Sequence, residues 1–465
     1  MQAIVNKIRR IYLGCYPPEI REQPQSRLRV NRIILGGVLL RFLFMPFSAH
    51  NDFLSEHVRV YQIAEGINFF PSFFQFVSHY MDAFFMKIIL PFIPNAAEVF
   101  VPMEGGITTI EIENMLRFVS SPYIFRTLFM FKIPYLLLEL ATVLLLLQLI
   151  RQRKHTMAFL KFWMFNPVII YAVYIFGRYE IYIYFLLALC LYFGISKKNF
   201  YLSGLFLGLS VVSRAYTFFL IPVLFILLPK KLRDRIVFII FTILPILAIF
   251  AFHRTYPGIR TLHGLEAESQ FLRFLFDYSL IALGGFKIQL FVLFYILFLA
   301  ALLYLTYGYK IKNLGSAYRI YPDSELTTVS IFSLIFFLIF YLTSPSAAQW
   351  FSWFIPFAAI IICRHSKYLG LFYLLTGAWF FFWLFNSDIG VFTPYLFSPL
   401  DGTYFHQIAE NFKLQLLDLK FGTTVNIETF INFFRTAYSA IIIWILLLLG
   451  KDIADQIRGA RDGGN

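Results

Sequence analysis

Apolar positions along this chain run continuously rather than alternating. Stretches near or above 18 residues recur from end to end. Continuous runs of that length read as membrane-spanning helices and exclude a β-barrel, whose strands would alternate apolar and polar positions. The pattern predicts spans beginning near Ile33, Phe125, Met157, Ile181, Phe200, Tyr216, Ile236, Phe286, Leu326, Phe351, Leu369 and Phe430. The fold class expected is an all-α polytopic membrane protein of about twelve transmembrane helices, several short or tilted. It divides into a cytoplasmic segment at 1–32, a transmembrane domain at 33–450 and a cytoplasmic tail at 451–465.

Polar punctuation orients the bundle. "RQRK" (Arg151 to Lys154), "SKKN" (Ser196 to Asn199), "PKKLRDR" (Pro229 to Arg235), "YKIKN" (Tyr309 to Asn313) and "RHSK" (Arg364 to Lys367) follow every second span. Arg9, Arg10, Arg21, Arg27 and Arg29 precede the first. Basic loops stay in the cytoplasm, so both termini are expected there. The other face then carries a first outer loop at 50–124 and long loops at 254–285 and 386–428. It also carries the short turns "GRYE", "SRAY" and "SPSAAQW". Phe73 to Pro94 is long enough to span but contains His79, Asp82 and Lys87; a helix lying in the outer interface is expected instead.

Composition agrees. Of the 465 residues, 59% are hydrophobic and 20% aromatic, more than a soluble core could hide. The net charge of +14 lies in short runs between spans, so nucleic acid is not an expected partner and membrane lipid is. Met1 to Arg32 is polar and basic, without the early apolar core of a cleavable signal. Cys15, Cys190 and Cys363 are scattered and indicate neither a disulfide framework nor a metal cluster.

The chemistry collects on the outer face. "HNDFLSEH" (His50 to His57) breaks an apolar run with His50, Asn51, Asp52, Glu56 and His57. Asp52 reads either as a general base for an acceptor hydroxyl or, with Asn51, as a helix cap. In "FGRYEIY", Arg178 and Glu180 form a local ion pair or bind phosphate and sugar. Arg214 either snorkels to headgroups or holds a lipid phosphate. "SPSAAQWFSWFIPF" offers Gln349 and Trp350 to a substrate groove and Trp353 to an interfacial aromatic belt. His263, in the loop "TLHGLEAES" with Glu266 and Glu268, is a further binding candidate; that loop lacks a recurring metal-ligand pattern, so no metal or other cofactor is expected. Within the spans, Arg41 or Lys132 is expected to neutralise Glu139 as structural support.

Together these pieces resemble the GT-C superfamily of membrane glycosyltransferases, and within it the polyprenyl-phosphate-sugar-dependent mannosyltransferases of the GPI mannosyltransferase I type and their bacterial relatives. The likeness rests on Asp52 followed by "AEGINFFP" (Ala64 to Pro71), on "FKIPYLLLELATVLLL" (Phe131 to Leu146), on the ordered block Phe165 to Leu224, and on "QWFSWFIPF" (Gln349 to Phe357). Residues beyond Gly370 match no pattern of the family. Here the acidic pair usual in the first loop is Asn51-Asp52, Glu180 stands where Asp is common, and Arg214 where Lys is common. The resemblance implies a GT-C-like bundle with interfacial helices in the first outer loop. It also implies a polyprenyl-phosphate sugar donor, most simply of mannose, and a lipid-linked or glycan acceptor. Asp52 would be the base of one inverting displacement, Arg178 and Arg214 would steady the leaving phosphate, and Glu180 would orient sugar or acceptor. The membrane would be the cell membrane of a bacterium or archaeon, or the endoplasmic reticulum of a eukaryote.

Two other classes compete. A transporter or flippase for a lipid-linked glycan would spread polar groups through the bilayer midplane or break its helices there. A membrane scaffold would leave the short outer turns loaded with Arg and Glu unexplained.

Overall fold

A computed structural model describes residues 16–66, 73–94, 112–150, 152–255, 279–281, 287–308, 324–344, 347–386, 393–417 and 427–462. Helices dominate them: α1 (Pro24–Phe44), α2 (Asn51–Ala64), α3 (Phe76–Ile89), α4 (Ile124–Leu149), α5 (Arg153–Met164), α6 (Glu180–Leu191), α7 (Phe200–Val211) and α8 (Leu220–Leu227) fill the first half. Then come α9 (Leu232–Thr255), α10 (Leu290–Leu303), α11 (Ser324–Thr343), α12 (Ile355–Arg364), α13 (Leu369–Asn386), α14 (Gly402–Leu417) and α15 (Ile427–Asp462). Before α10, Ser279–Ile281 and Lys287–Gln289 pair as a short antiparallel hairpin.

Seven helical stretches among the described residues are long and apolar enough to cross a membrane. The chain is therefore an all-α, multi-pass membrane protein by length and composition. Four further apolar stretches are shorter: Glu180–Ser196, Phe200–Val211, Ala215–Leu227 and Ala348–Arg364. α1, with Arg27, Arg29, Arg32 and Arg41, is not among the seven. It starts at Pro24 rather than near Ile33. Proline suits the first turn of a helix, and long arginine stems reach water from it, so α1 absorbs part of the segment expected to precede the bundle.

The main core joins α4 to α8 with α11, α12 and the inner faces of α13 and α15. α7 packs along α9, where a Cβ on Gly208 would come 2.2 Å from the Thr242 carbonyl oxygen. Such close backbone approach is how small residues join helices in lipid. A second, smaller core forms around α2. Phe53, Leu54 and Val60 of α2 meet Met86 of α3, Phe118, Leu128 of α4 and Tyr395 there. This cap has its own packing and also meets the bundle, Met81 and Phe85 of α3 packing against the main core.

α3 is amphipathic in an inverted sense. Ser78, His79 and Asp82 are buried, while Tyr80, Phe84, Ile88 and Phe92 form an exposed stripe at four-residue spacing. An exposed apolar stripe over a buried polar face fits a helix bathed in lipid.

Candidate functional site

α2 and α3 dock onto two short turns of the bundle. The first turn follows a π-helical stretch, Ile170–Ile175, that brings the chain to Gly177 with φ of 86°. That left-handed conformation suits glycine, and a Cβ here would meet the Phe53 ring at 2.5 Å. Gly177 thus lets α2 approach and aims Arg178 at it. The second turn, around Arg214, is tied to α3 by Ser78 Oγ donating to the Ser213 carbonyl (3.2 Å) and Val77 N donating to that of Val212 (3.4 Å). α7 rises only about 18 Å with its 12 residues. A helix that short falls well below a hydrocarbon thickness of about 30 Å. Arg214, three residues past the end of this short helix, is buried rather than exposed at an edge.

Asp52 lies in the first turn of α2. His50, not Asn51 or Asp52, caps the helix, its Nδ1 accepting from the Asp52 N–H at 3.0 Å. The capping role considered for Asn51 and Asp52 is thus taken by His50, and the Asp52 carboxylate is left 40% exposed. One turn on, Glu56 shares its face and is buried. Arg178 Nη1 stands 2.8 Å from Glu56 and 3.4 Å from Asp52. His79 closes the other side of Glu56 at 2.5 Å. Burial pushes the Glu56 carboxyl up, but His79 and Arg178 outweigh it and hold it well below the usual carboxylate range.

Arg178 and Glu180 do not pair with each other. Glu180 is fully buried, accepting from Arg214 at 2.9 Å on one oxygen and from the Trp353 indole at 2.7 Å on the other. Trp353 therefore does not serve an interfacial belt: it is 1% exposed, stacks on Tyr216 at 3.6 Å, and fixes Glu180. Tyr179 joins the two arginines, with their guanidinium carbons 5.1 Å (Arg178) and 4.6 Å (Arg214) from its ring centre. Nε of Arg178, Nε of Arg214 and the Tyr179 hydroxyl are buried and have no hydrogen-bond partner. Buried donors left unpaired cost stability, so three in one place mark a site shaped for something else.

Trp350 stacks on Trp353 at 5.0 Å and is partly buried, while Gln349 is buried in the same 3₁₀ turn, Ala348–Phe354. His263 lies outside the described residues. Sequence reasoning missed Tyr179, and left His79 and Glu56 without a role. The signal was present for Glu56, which stands four residues after Asp52 and so on its helix face. His57 is also buried, its ring stacked on Phe53, and burial pushes its imidazole down to about 4. Asp82 accepts from the hydroxyls of Tyr182 and Tyr135. Burial outweighs those donors and, with Glu56, pushes its carboxyl up to about 8.

A second polar cluster lies within the bundle. Arg41 forks onto Glu139 at 2.6 and 2.5 Å and donates to the Gly37 and Met164 carbonyls. Trp163 and Tyr174 donate to the same carboxylate at 2.9 and 2.5 Å. Arg41 is thus the partner of Glu139, while Lys132 donates to the carbonyls of Ser48 and Tyr174. Among the described residues no group of three His, Cys, Asp or Glu is placed to hold a metal ion. Compared against protein-family models, curated proteins and solved structures, the chain matches none.

Proposed function

We infer that the chain is an integral-membrane inverting glycosyltransferase of GT-C type, with about twelve transmembrane helices. It moves a sugar, mannose in the simplest case, from a polyprenyl-phosphate donor to a lipid-linked or glycan acceptor on the non-cytoplasmic face. One observation carries the reading. An accessible carboxylate, Asp52, stands 3.4 Å from the buried Arg178, which shares the Tyr179 ring with the buried Arg214, and both arginines keep an unpaired Nε.

The roles follow from what each group can do. The Asp52 carboxylate takes the proton of an acceptor hydroxyl as its oxygen bonds to the anomeric carbon. The bond from that carbon to the phosphate oxygen breaks on the opposite face, and its electron pair leaves with the phosphate. Arg178 and Arg214 face the growing negative charge in a water-poor pocket, where fixed donors are most effective. Glu56 and His79 position Arg178. Glu180, occupied on both oxygens, positions Arg214 rather than the sugar, with Trp353 behind it.

The test is transfer of radiolabelled sugar from synthetic polyprenyl-phosphate-mannose by purified protein, comparing wild type with Asp52→Ala and Asp52→Asn. Loss of transfer in both variants is expected. Equal turnover in all three rejects Asp52 as the base. Directional lipid movement without transfer from any polyprenyl-phosphate sugar favours the flippase.

A further inference from the structure

Lys132 lies behind the site and joins the two backbone segments that carry Asp52 and Arg178. It stands in α4, fully buried. Among the described residues its Nζ donates to backbone carbonyls alone, that of Ser48 at 2.5 Å and that of Tyr174 at 2.7 Å. Glu139, seven residues on and on the same helix face, is taken by Arg41. A polar group carried this deep costs stability that an apolar side chain would not, so packing alone does not account for it.

The two carbonyls occupy matching places. Ser48 is four residues before Asp52, and Tyr174 is four before Arg178. In a continuous α-helix each carbonyl would accept from the N–H four residues on. Here the Asp52 N–H goes to His50 Nδ1 at 3.0 Å, and the Arg178 N–H goes six residues back, to the Ala172 carbonyl, at 3.0 Å. The cap of α2 and the exit from the π-helical stretch thus each release a carbonyl, and one Nζ takes both. Ser48 Oγ completes the joint, donating to the Phe44 carbonyl at 2.7 Å and the Tyr174 carbonyl at 3.0 Å. α4 therefore holds Tyr174 at both ends, the carbonyl by Lys132 and the hydroxyl by Glu139. Lys132 Nζ also stands 5.5 Å from the centre of the Phe53 ring, the ring for which Gly177 leaves room. A shift at this joint changes the 3.4 Å separation of Asp52 and Arg178.

We propose that Lys132 is a positioning residue for the transfer reaction: it pins the backbone before Asp52 to the backbone before Arg178 and so sets the distance between base and cation. The assignment rests on Asp52 as the base and Arg178 as the partner of the leaving phosphate. Lys132 acts through those two residues and meets no substrate, so its loss falls on turnover more than on donor binding.

The experiment compares wild type with Lys132→Met, which keeps the apolar stem and removes the donor. It reads amide hydrogen exchange, and transfer from synthetic polyprenyl-phosphate-mannose. Exchange is expected to quicken about tenfold in residues 45–57 and 171–178 and to stay as in wild type in α5 and α12. The kcat is expected to fall roughly tenfold to a hundredfold. In the Asp52→Asn background the fall should shrink to less than about threefold, because the base whose place Lys132 sets is then missing. Unchanged exchange in the two segments, a rise spread evenly over the bundle, or an undiminished fall in the Asp52→Asn background each overturns the proposal. If Lys132→Met does not fold, Ser48→Ala carries the test. Removing one hydroxyl from the same joint should quicken the same two segments about threefold, and no change there overturns the proposal. Exchange needs no substrate. A wild type that transfers no sugar, beside a Lys132→Met loosened in these segments alone, overturns the glycosyl-transfer reading and leaves the joint standing.

Discussion

Among the described residues two buried arginine–carboxylate clusters are finished differently. Around Arg41 and Glu139, each guanidinium nitrogen donates and each carboxylate oxygen accepts from two groups. Around Arg178 and Arg214, both Nε groups and the Tyr179 hydroxyl stay unpaired, and Asp52 is partly exposed. A closed network rigidifies helices in a medium that offers no water. An open network at similar burial leaves donors unpaired, as a site built to meet a ligand would.

Two substitutions attack that comparison most strongly. Glu139→Gln leaves the Arg41 charge buried without its counter-ion. It should cost about 3–5 kcal/mol of stability, read as a large fall in the thermal or denaturant midpoint in detergent. An unchanged midpoint would show that the closed cluster is not supporting the bundle. Asp52→Asn should do the reverse. Its partly exposed carboxylate, 3.4 Å from Arg178, contributes at most about 1 kcal/mol to stability. Transfer should nevertheless fall roughly a hundredfold or more, about 3 kcal/mol on the barrier. If Asp52→Asn instead unfolds the protein, the open cluster is structural too.

Much of this was legible in the residues. Helices follow the apolar runs, seven of the described stretches being long and apolar enough to cross a membrane, because such runs leave the backbone few other ways to satisfy its hydrogen bonds in lipid. The edge carrying Asp52, Arg178 and Arg214 was legible from charge placement alone. The pairing was not. Arg178 and Glu180 are neighbours in the chain, but the turn at Gly177 sends one toward α2 and the other toward Arg214 and Trp353. Trp353 read as a belt residue because indoles favour interfaces. Its burial depends on Glu180, 173 residues away, a separation that no local pattern reports.

A pH-dependent effect tests the buried Asp82 of α3. The fold raises the Asp82 carboxyl to about 8, so the native state holds its proton where the unfolded chain has released it. The associated stability is complete below about pH 4 and is lost as pH rises toward 8, at no more than about 1.4 kcal/mol per pH unit. Asp82→Asn should flatten this slope and be the more stable protein at pH 8. Denaturant midpoints from pH 5 to 8 check it, and parallel profiles for the two proteins would show that Asp82 is ionised beside its tyrosines.

The smallest effect is the most discriminating, because it removes one oxygen from each cluster. Tyr174→Phe takes a donor from Glu139 and should cost roughly 1 kcal/mol of stability. Tyr179→Phe removes a hydroxyl that has no partner, while its ring stays between the two guanidinium groups. Stability should hold or rise slightly, since a buried unpaired hydroxyl is itself a cost. Transfer should drop about two- to tenfold if that hydroxyl meets the ligand, the weight of one net hydrogen bond. The two variants differ from wild type by the same atom, so opposite readouts, stability for one and turnover for the other, isolate the finish of each network. If Tyr179→Phe instead loses stability and keeps its turnover, the hydroxyl has a structural partner and the open cluster is less open than its geometry.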